Sequence, residues 1–210
     1  MIQVYIADDH QLIREGLKKV LKGESGISVA GDTGNPDEIL PFLDSHDTDV
    51  VVLDLNFPSR SGLEILKDIK SIHPEVAVLI LSMHPEEHYA VRALKAGASG
   101  YLTKESDPEE LLAAIRKAGA GGKYISQPLA EKLAFDLDLT LGKVSHQMLS
   151  DREFEVMILM AKGKPQNEIA SDLNLSPSTV NTYRARILEK MGFKSNAELV
   201  QYAVKNKLIE

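Results

Sequence analysis

The sequence predicts an α/β domain with a doubly wound parallel sheet of five strands, followed by a small all-α domain of four helices. Three observations support this prediction. Residues 2–122 alternate short apolar runs with amphipathic segments in five cycles, which is typical of βαβ units. Residues 123–148 lose this alternation. From residue 149 onward the pattern is helical throughout.

The predicted strands lie at residues 3–7, 27–30, 50–53, 76–81 and 100–103, and helices occupy the intervals. The first helix is expected to pack through one apolar face, formed by Leu12, Ile13, Leu17, Val20 and Leu21. The third helix has a similar face, formed by Leu63, Leu66, Ile69 and Ile72. Prolines mark the expected starts of three helices, at Pro36, Pro85 and Pro108.

Residues 117–124, with the sequence KAGAGGKY, have the glycine density of a phosphate-binding loop. A Walker-type loop, however, follows a strand and opens a helix with Lys-Ser or Lys-Thr, whereas here a helix precedes the glycines and Tyr124 follows Lys123. We therefore interpret Gly119, Gly121 and Gly122 as a helix C-terminus.

We interpret residues 123–148 as a tether that contains one short helix, at residues 129–135. Residues 149–210 then form four predicted helices, at 151–161, 166–173, 177–190 and 196–205. Ser150 and Glu153 form a capping box before the first of these helices. Ser176 is a favourable N-cap residue for the third helix, and Pro177 is favourable at its first position. We therefore expect a tight turn between the second helix and the third.

Composition limits the class of protein. No apolar run approaches the ~20 residues of a membrane helix, and the chain has no cysteine, so we expect a cytoplasmic protein without membrane contact. The net charge of −7 is uneven: residues 1–122 carry −8, whereas residues 149–210 carry +1. Electrostatics therefore disfavour direct contact between the acidic first domain and nucleic acid, and any such contact falls to the second.

Polar residues follow four of the five predicted strands: Asp8 with Asp9, then Asp54, Ser82 and Lys104. The carboxyl ends of parallel strands line one crevice, so these side chains are expected to converge. Clustered carboxylates repel one another unless a hard cation such as Mg²⁺ lies between them. Taken singly, each residue could be only a cap or a solvated charge, and the histidines, His10 among them, show no metal-ligand spacing.

With these residues in place, residues 1–122 resemble a receiver domain of two-component signalling, which has a flavodoxin-like (βα)5 fold. The resemblance rests on Asp8 and Asp9, Asp54 in DLNFPSRSG, Ser82, Tyr101 and Lys104. It implies that Asp54 accepts a phosphoryl group from a sensor histidine kinase, and that Asp8, Asp9, Asp54 and the Asn56 carbonyl hold Mg²⁺. It further implies that Ser82 and Lys104 contact the phosphoryl oxygens, and that Ser82 and Tyr101 form the switch.

The third helix of the second domain has two different faces. Val180, Ile187 and Met191 form an apolar side, while Ser178, Asn181, Thr182, Ala185 and Arg186 lie opposite and suit a DNA major groove. A bare helical bundle that docks or dimerises is the alternative, given the small net charge. Local cations at Lys164, Arg184, Arg186, Lys190 and Lys194 favour the DNA interpretation.

Residues 149–195 resemble the LuxR-type helix-turn-helix. A chain that joins such a domain to a receiver resembles the NarL/FixJ family of response regulators. This resemblance implies a transcriptional regulator, not an enzyme, that binds double-stranded DNA at promoters and forms a homodimer when active. It implies base contacts by Asn181, Thr182 and Ala185 and phosphate contacts by Arg184, Arg186 and Lys190, with Lys164, Ser178 and Thr179 completing the DNA-binding set.

Our hypothesis is that phosphorylation of Asp54 draws Ser82 and Lys104 inward and lets Tyr101 fill the vacated space. Two alternatives remain. A phosphatase with an aspartyl-phosphate intermediate would have acids two residues apart on the first strand, where this chain has adjacent acids. A receiver that dimerises without phosphorylation would bind DNA without Mg²⁺ or a phosphodonor.

Overall fold

A computed structural model describes residues 1–58, 60–126, 129–131, 146–206 and 208–209. The chain forms two compact units, residues 1–137 and 138–210, each described by itself. Leu129 to Glu131 are helical, and the rest of the helix predicted at residues 129–135 lies outside the described residues, as does most of the predicted tether.

The first unit alternates strands and helices as the apolar pattern predicts. Its elements are β1 (Ile2–Ala7), α1 (Gln11–Leu21), β2 (Ile27–Thr33), α2 (Ile39–Ser45), β3 (Val50–Leu53), α3 (Gly62–Ile72), β4 (Ala77–Ser82), α4 (Glu86–Lys95), β5 (Gly100–Thr103) and α5 (Pro108–Gly119). A short 3₁₀ helix at Pro36–Glu38 precedes α2. The prolines open helices as predicted, since Pro36 and Pro108 lie in a first turn and Pro85 is the N-cap of α4.

The five strands form one parallel sheet in the order β2-β1-β3-β4-β5. This order confirms the doubly wound, flavodoxin-like prediction. The chain moves outward from β1 to β2 in one direction and from β3 to β5 in the other. The strand order therefore reverses between β1 and β3, and it is at such a switch point that open α/β sheets bind their ligands.

The sheet is buried on both faces, which explains why its strands are continuous Val, Ile and Leu runs. On one face, Val4, Ile6, Val52 and Leu79 pack with Leu17 and Leu21 of α1 and with Leu111 and Ile115 of α5. On the other, Tyr5 stacks on Phe42 of α2, with ring centroids 4.0 Å apart.

Two helix faces include fewer residues than predicted. Leu12 is 84% exposed, whereas Leu17 and Leu21 are buried. At about 100° per residue, Leu12 lies roughly opposite Leu21 on the helix, so it points away from the buried face. Ile72, the last residue of α3, is 55% exposed, whereas Leu63, Leu66 and Ile69 are buried.

The glycine-rich segment is a helix C-terminus, as predicted. Helix α5 ends at Gly119, Gly121 adopts a left-handed φ of 80°, and the Gly122 N–H donates to the Lys117 carbonyl at 2.9 Å. These features are those of a glycine-terminated helix.

The second unit begins with a 3₁₀ helix at His146–Met148 and continues as α6 (Asp151–Ala161), α7 (Gln166–Asp172), α8 (Pro177–Met191) and α9 (Asn196–Lys205). The capping box at the start of α6 is present with both of its hydrogen bonds. Between α7 and α8, Asn174 adopts φ of 50°, and the Ser176 side chain accepts the Thr179 N–H at 3.1 Å. The turn that presents α8 is therefore fixed by local hydrogen bonds. Among the described residues, no helix combines the length and apolar character that crossing a membrane requires.

Candidate functional site

Three carboxylates lie at the switch point of the sheet. Asp8 and Asp9 follow β1, Asp54 follows β3, and the Asp54 N–H donates to the Ala7 carbonyl at 2.9 Å, which extends the pairing of the two strands by one residue. Asp8 is 2% exposed and Asp54 1% exposed. Two buried acids on neighbouring strands repel each other, so the site requires positive charge.

Lys104 provides that charge from the end of β5. Its Nζ lies 2.7 Å from Asp8 Oδ2 and 2.8 Å from Asp54 Oδ2, and its own side chain is 4% exposed. The Lys104 N–H donates to the Ser82 carbonyl at 2.8 Å, which anchors the residue to the end of β4. Burial alone would lower the pKa of Lys104, but the two carboxylates outweigh it and raise that pKa. The ammonium therefore stays charged.

The electrostatics of Asp54 are unusual for an aspartate. Burial raises its pKa from 3.8 to about 6, because the raising effect of burial exceeds the opposing effects of Lys104 and of the Asn56 backbone hydrogen bond. At neutral pH the carboxylate is ionised and poorly solvated. A poorly solvated anion of this kind is suited to act as a nucleophile or as a ligand for a cation.

The donor atoms fit a hard cation. One oxygen each from Asp8, Asp9 and Asp54 and one ring nitrogen of His10 lie within 4.8 Å of one another. Asp54 Oδ1 is buried and has no hydrogen-bond partner among the residues that the structure describes. Carboxylate oxygens are the ligands that Mg²⁺ prefers, and an orphaned buried oxygen is costly without one.

His10 also lies at this site, although the sequence analysis found no metal-ligand spacing for it. Its Nδ1 lies 2.6 Å from Asp9 Oδ1 and 3.3 Å from Asp8 Oδ1, and its side chain is 61% exposed. The only signal was its position directly after the acid pair. Spacing rules do not identify it, because its neighbours in the cluster are carboxylates rather than histidines.

Ser82, His84 and Tyr101 form a second group beside the acids. Ser82, the last residue of β4, is completely buried, and its Oγ accepts the His84 N–H at 3.2 Å. The Tyr101 hydroxyl donates to the His84 carbonyl at 2.9 Å, and burial raises the pKa of that phenol. Tyr101 is only 1% exposed, so its ring is buried in this structure, next to the backbone of His84.

In the second unit, α8 presents the two faces that the sequence predicts. Val180, Ile187 and Met191 are buried, whereas Ser178, Asn181, Thr182, Ala185 and Arg186 are exposed. A shallow depression of about 330 Å³ lies on the exposed side, lined by Ser178, Thr179, Thr182, Tyr183 and Arg186. Hydroxyl groups around a cation suit contact with phosphate and with base edges.

The cations near this face differ in their availability. Lys190 Nζ lies 2.7 Å from Glu153 Oε2, Lys164 Nζ lies 2.5 Å from Asp172 Oδ2, and Arg184 Nε donates to Asn196 Oδ1 at 2.9 Å. Burial would raise the pKa of Glu153, but Lys190 and the Ser150 N–H lower it. Lys190 therefore also joins α8 to α6. Within the part of the chain that the structure describes, Arg186 has no acidic partner.

Comparison with known proteins identifies both units. Residues 4–116 match the response regulator receiver domain, and residues 147–203 match the bacterial regulatory proteins of the luxR family. The chain is 34% identical to the response regulator UvrY of Escherichia coli K12, over 99% of this chain and 96% of UvrY. It is also 34% identical to the response regulator GacA of Pseudomonas viridiflava, over 100% of this chain and 99% of GacA.

Among solved structures, the chain is similar to RcsB of Salmonella enterica serovar Typhimurium bound to the promoter rprA in the presence of the phosphomimetic BeF₃⁻. The TM-score is 0.65 at 26% identity, and the match covers 96% of this chain and 98% of RcsB. A receiver domain joined to a LuxR-type domain is a transcription regulator and not an enzyme. The chain therefore belongs to the response regulators that combine a receiver domain with a LuxR-type DNA-binding domain.

Proposed function

We propose that Asp54 accepts a phosphoryl group from the phosphohistidine of a sensor kinase, and that this event controls promoter binding by the second domain. The observation that carries the proposal is the buried pair of Asp8 and Asp54, bridged by Lys104 at 2.7 and 2.8 Å. This arrangement keeps an ionised carboxylate out of bulk water beside a cation. A phosphoryl acceptor needs both features.

In the proposed transfer, an oxygen of Asp54 attacks phosphorus while the bond from phosphorus to the donor imidazole breaks, and the electron pair of that bond leaves with the imidazole. Asp8, Asp9, Asp54 and the Asn56 carbonyl would hold Mg²⁺, which supplies positive charge to the phosphoryl oxygens when it is bound. Lys104 and Ser82 would donate hydrogen bonds to those oxygens. Lys104 is already held against Asp54 Oδ2, so it needs only a short movement to contact a group on that side chain.

The group formed by Ser82, His84 and Tyr101 offers a route for the signal. Ser82 and Tyr101 both bond the backbone of His84, which lies two residues before the start of α4. A Ser82 hydroxyl that turns toward a phosphoryl oxygen would release the His84 N–H and change the start of α4. We propose that this change favours a homodimer, with residues 197–204 of α9 as a contact between DNA-binding domains.

The direct test of the first step is the mass of the intact protein after incubation with acetyl phosphate and Mg²⁺. We expect an adduct of about 80 Da, the mass of HPO₃, that hydroxylamine removes because it is an acyl phosphate. The Asp54→Asn variant keeps the size and polarity of the side chain, and it should show no adduct. An adduct of equal yield on that variant would overturn the assignment of Asp54.

The affinity for Mg²⁺ should depend on pH in a way set by Asp54. Because burial raises its pKa to about 6, protons compete with the cation below that pH, and the apparent Kd should rise up to about tenfold per pH unit. If Asp54 had the pKa of an ordinary aspartate, the Kd for Mg²⁺ would stay constant down to about pH 4. Isothermal titration calorimetry between pH 7.5 and 4.5 measures the profile, and Asp54→Asn should lose the step near pH 6. A flat profile down to pH 5 would contradict the prediction.

For DNA binding, we propose that the exposed side of α8 enters the major groove of double-stranded DNA at promoters. The proposed contacts are those of the predicted set: Lys164, Ser178, Thr179, Asn181, Thr182, Arg184, Ala185, Arg186 and Lys190. RcsB, a structural relative, has been solved in complex with DNA. The ion pairs of Lys164 and Lys190 suggest that Arg186 contributes more to phosphate neutralisation than either lysine.

Replacing Arg186 with alanine should weaken binding to all DNA sequences alike and reduce the slope of log affinity against log salt by about 1, as the loss of one phosphate contact predicts. Fluorescence anisotropy at several salt concentrations measures both quantities. Lys162→Ala removes an exposed cation at the end of α6 and serves as the matched control. An unchanged salt slope in Arg186→Ala would remove this residue from the phosphate contacts.

We further propose that the protein is cytoplasmic. Its proposed partners are a sensor histidine kinase, promoter DNA and a second copy of the chain.

A further inference from the structure

Arg14, on the first turn of α1, contacts the loop that carries the acid pair. Its Nη1 donates to the carbonyl oxygen of Asp8 at 2.7 Å. Neither the sequence analysis nor the proposed chemistry uses this residue. We infer that Arg14 is a positioning residue for the cation site, an inference that rests on the proposed function.

Asp8 is held at each of its polar groups. Its N–H donates to the Thr33 carbonyl at 3.1 Å, its carbonyl accepts from Arg14, and its carboxylate accepts the His10 N–H at 2.8 Å and the Lys104 ammonium at 2.7 Å. The peptide that joins Asp8 to Asp9 begins at the carbonyl that Arg14 binds. Arg14 therefore fixes the plane of the peptide that orients both predicted cation ligands.

The guanidinium of Arg14 is itself held in place. Its Nε lies 2.9 Å from Asp32 Oδ2 on β2, and Lys18 Nζ lies 3.1 Å from Asp32 Oδ1. The Arg14 side chain is 16% exposed. Burial would raise the pKa of Asp32, but Lys18 and Arg14 lower it, so this carboxylate stays charged. At Gly34 a Cβ would lie 2.9 Å from Arg14 Nη1, so the glycine leaves space for the guanidinium.

Charge and position predict opposite effects on Mg²⁺ binding. As a positive charge beside a cation site, Arg14 repels Mg²⁺, and its removal would tighten binding. As a group that holds the Asp8 carbonyl, it keeps the ligands in register, and its removal would weaken binding. Residues that orient metal ligands in this way typically contribute ten- to a hundredfold in metal affinity. We therefore expect the positioning effect to exceed the charge effect.

The test is the Kd for Mg²⁺, measured by calorimetry on the full chain for the parent and for Arg14→Gln. We expect Kd to rise about tenfold in Arg14→Gln. Arg14→Lys should recover only part of the loss, because one ammonium cannot bind Asp32 and the Asp8 carbonyl with the geometry of a guanidinium. Saturating Mg²⁺ should restore the rate of phosphoryl uptake from acetyl phosphate, since the ligands are displaced and not removed.

Two further variants separate positioning from general stability. Lys18→Gln removes a cation that binds Asp32 but not Asp8, so its Kd should stay within about twofold of the parent's, well inside the effect expected for Arg14. Asp32→Asn keeps Arg14 but removes the carboxylate charge that holds the guanidinium. The Kd of this variant for Mg²⁺ should therefore also rise. If Arg14→Gln does not fold, Asp32→Asn provides the test. Unchanged or tighter binding in folded Arg14→Gln or Asp32→Asn would overturn the inference. A parent that binds no Mg²⁺ would instead overturn the proposed function.

Discussion

Lys104→Gln should destabilise the first domain by about 3–5 kcal/mol at neutral pH, because it leaves two buried carboxylates without their shared cation. Asp8 and Asp54 have side chains that are 3% and 0% exposed, so bulk water does not screen the charges that remain after the ammonium is removed. Urea unfolding of the full chain, followed by circular dichroism and fitted with one transition for each domain, measures the change.

The pH dependence of this loss follows from Asp54. Its pKa in the folded protein is about 6, above that of an unfolded aspartate, so protonation favours the folded state below that pH. That contribution to stability is complete below about pH 4 and is lost as the pH rises through about 6. Without Lys104 the pKa should rise further, so the variant should recover much of its stability in acid. Millimolar Mg²⁺ should have a similar restoring effect at neutral pH.

A double-mutant cycle provides the control. In the Lys104→Gln background, Asp54→Asn removes one of the two carboxylate charges that Lys104 no longer compensates. The double variant should therefore be more stable at neutral pH than Lys104→Gln alone. If Lys104→Gln costs less than about 1 kcal/mol at pH 7, the value expected of a surface pair, then Lys104 does not compensate the buried acids as we describe.

Gly62→Ala should be the most disruptive conservative substitution near the site. A Cβ at Gly62 would lie 2.3 Å from the backbone oxygen of Asp54 and 2.5 Å from Leu55 Cα, and neither is a side chain that can rotate away. The Gly62 N–H also donates to the Leu55 carbonyl at 2.8 Å, so the start of α3 is joined to the segment that carries Asp54. We expect a loss of about 3 kcal/mol or more and a reduced rate of phosphoryl uptake from acetyl phosphate.

Gly16→Ala is the matched control for this substitution. Gly16 lies inside α1, and a Cβ there would meet nothing within 4 Å. Alanine in place of an unencumbered helical glycine should stabilise the protein by about 0.5–1 kcal/mol. Stabilities of Gly62→Ala and Gly16→Ala that agree within error would show that the close approach at Gly62 is not a constraint.

The sequence was sufficient to predict the sheet and the convergence of its polar residues, for a physical reason. Strands buried on both faces are continuous apolar runs, so Val50–Leu53 ends unmistakably at Asp54, and parallel strands bring such ends together. The same reasoning applies to α6, where Ser150 and Glu153 mark the start through local hydrogen bonds.

What the sequence did not predict depends on contacts between distant segments. The pairing of Lys190 with Glu153 joins residues 37 positions apart, and that of Arg14 with Asp32 joins residues 18 positions apart. No periodicity encodes such partners. The constraint at Gly62 depends on the close approach of its backbone to that of Asp54 and Leu55. Each of these properties appears only when the elements are packed.

The link between the two domains is the central claim of this account, and the most direct test is the DNA affinity of the parent and of Asp54→Asn with and without beryllofluoride and Mg²⁺. Gel-shift titration against a pool of genomic fragments measures this affinity without the choice of an operator sequence in advance. We predict that beryllofluoride raises the affinity of the parent and leaves that of Asp54→Asn unchanged. Equal affinities in all four conditions, or the same increase in both proteins, would contradict the claim that Asp54 controls DNA binding.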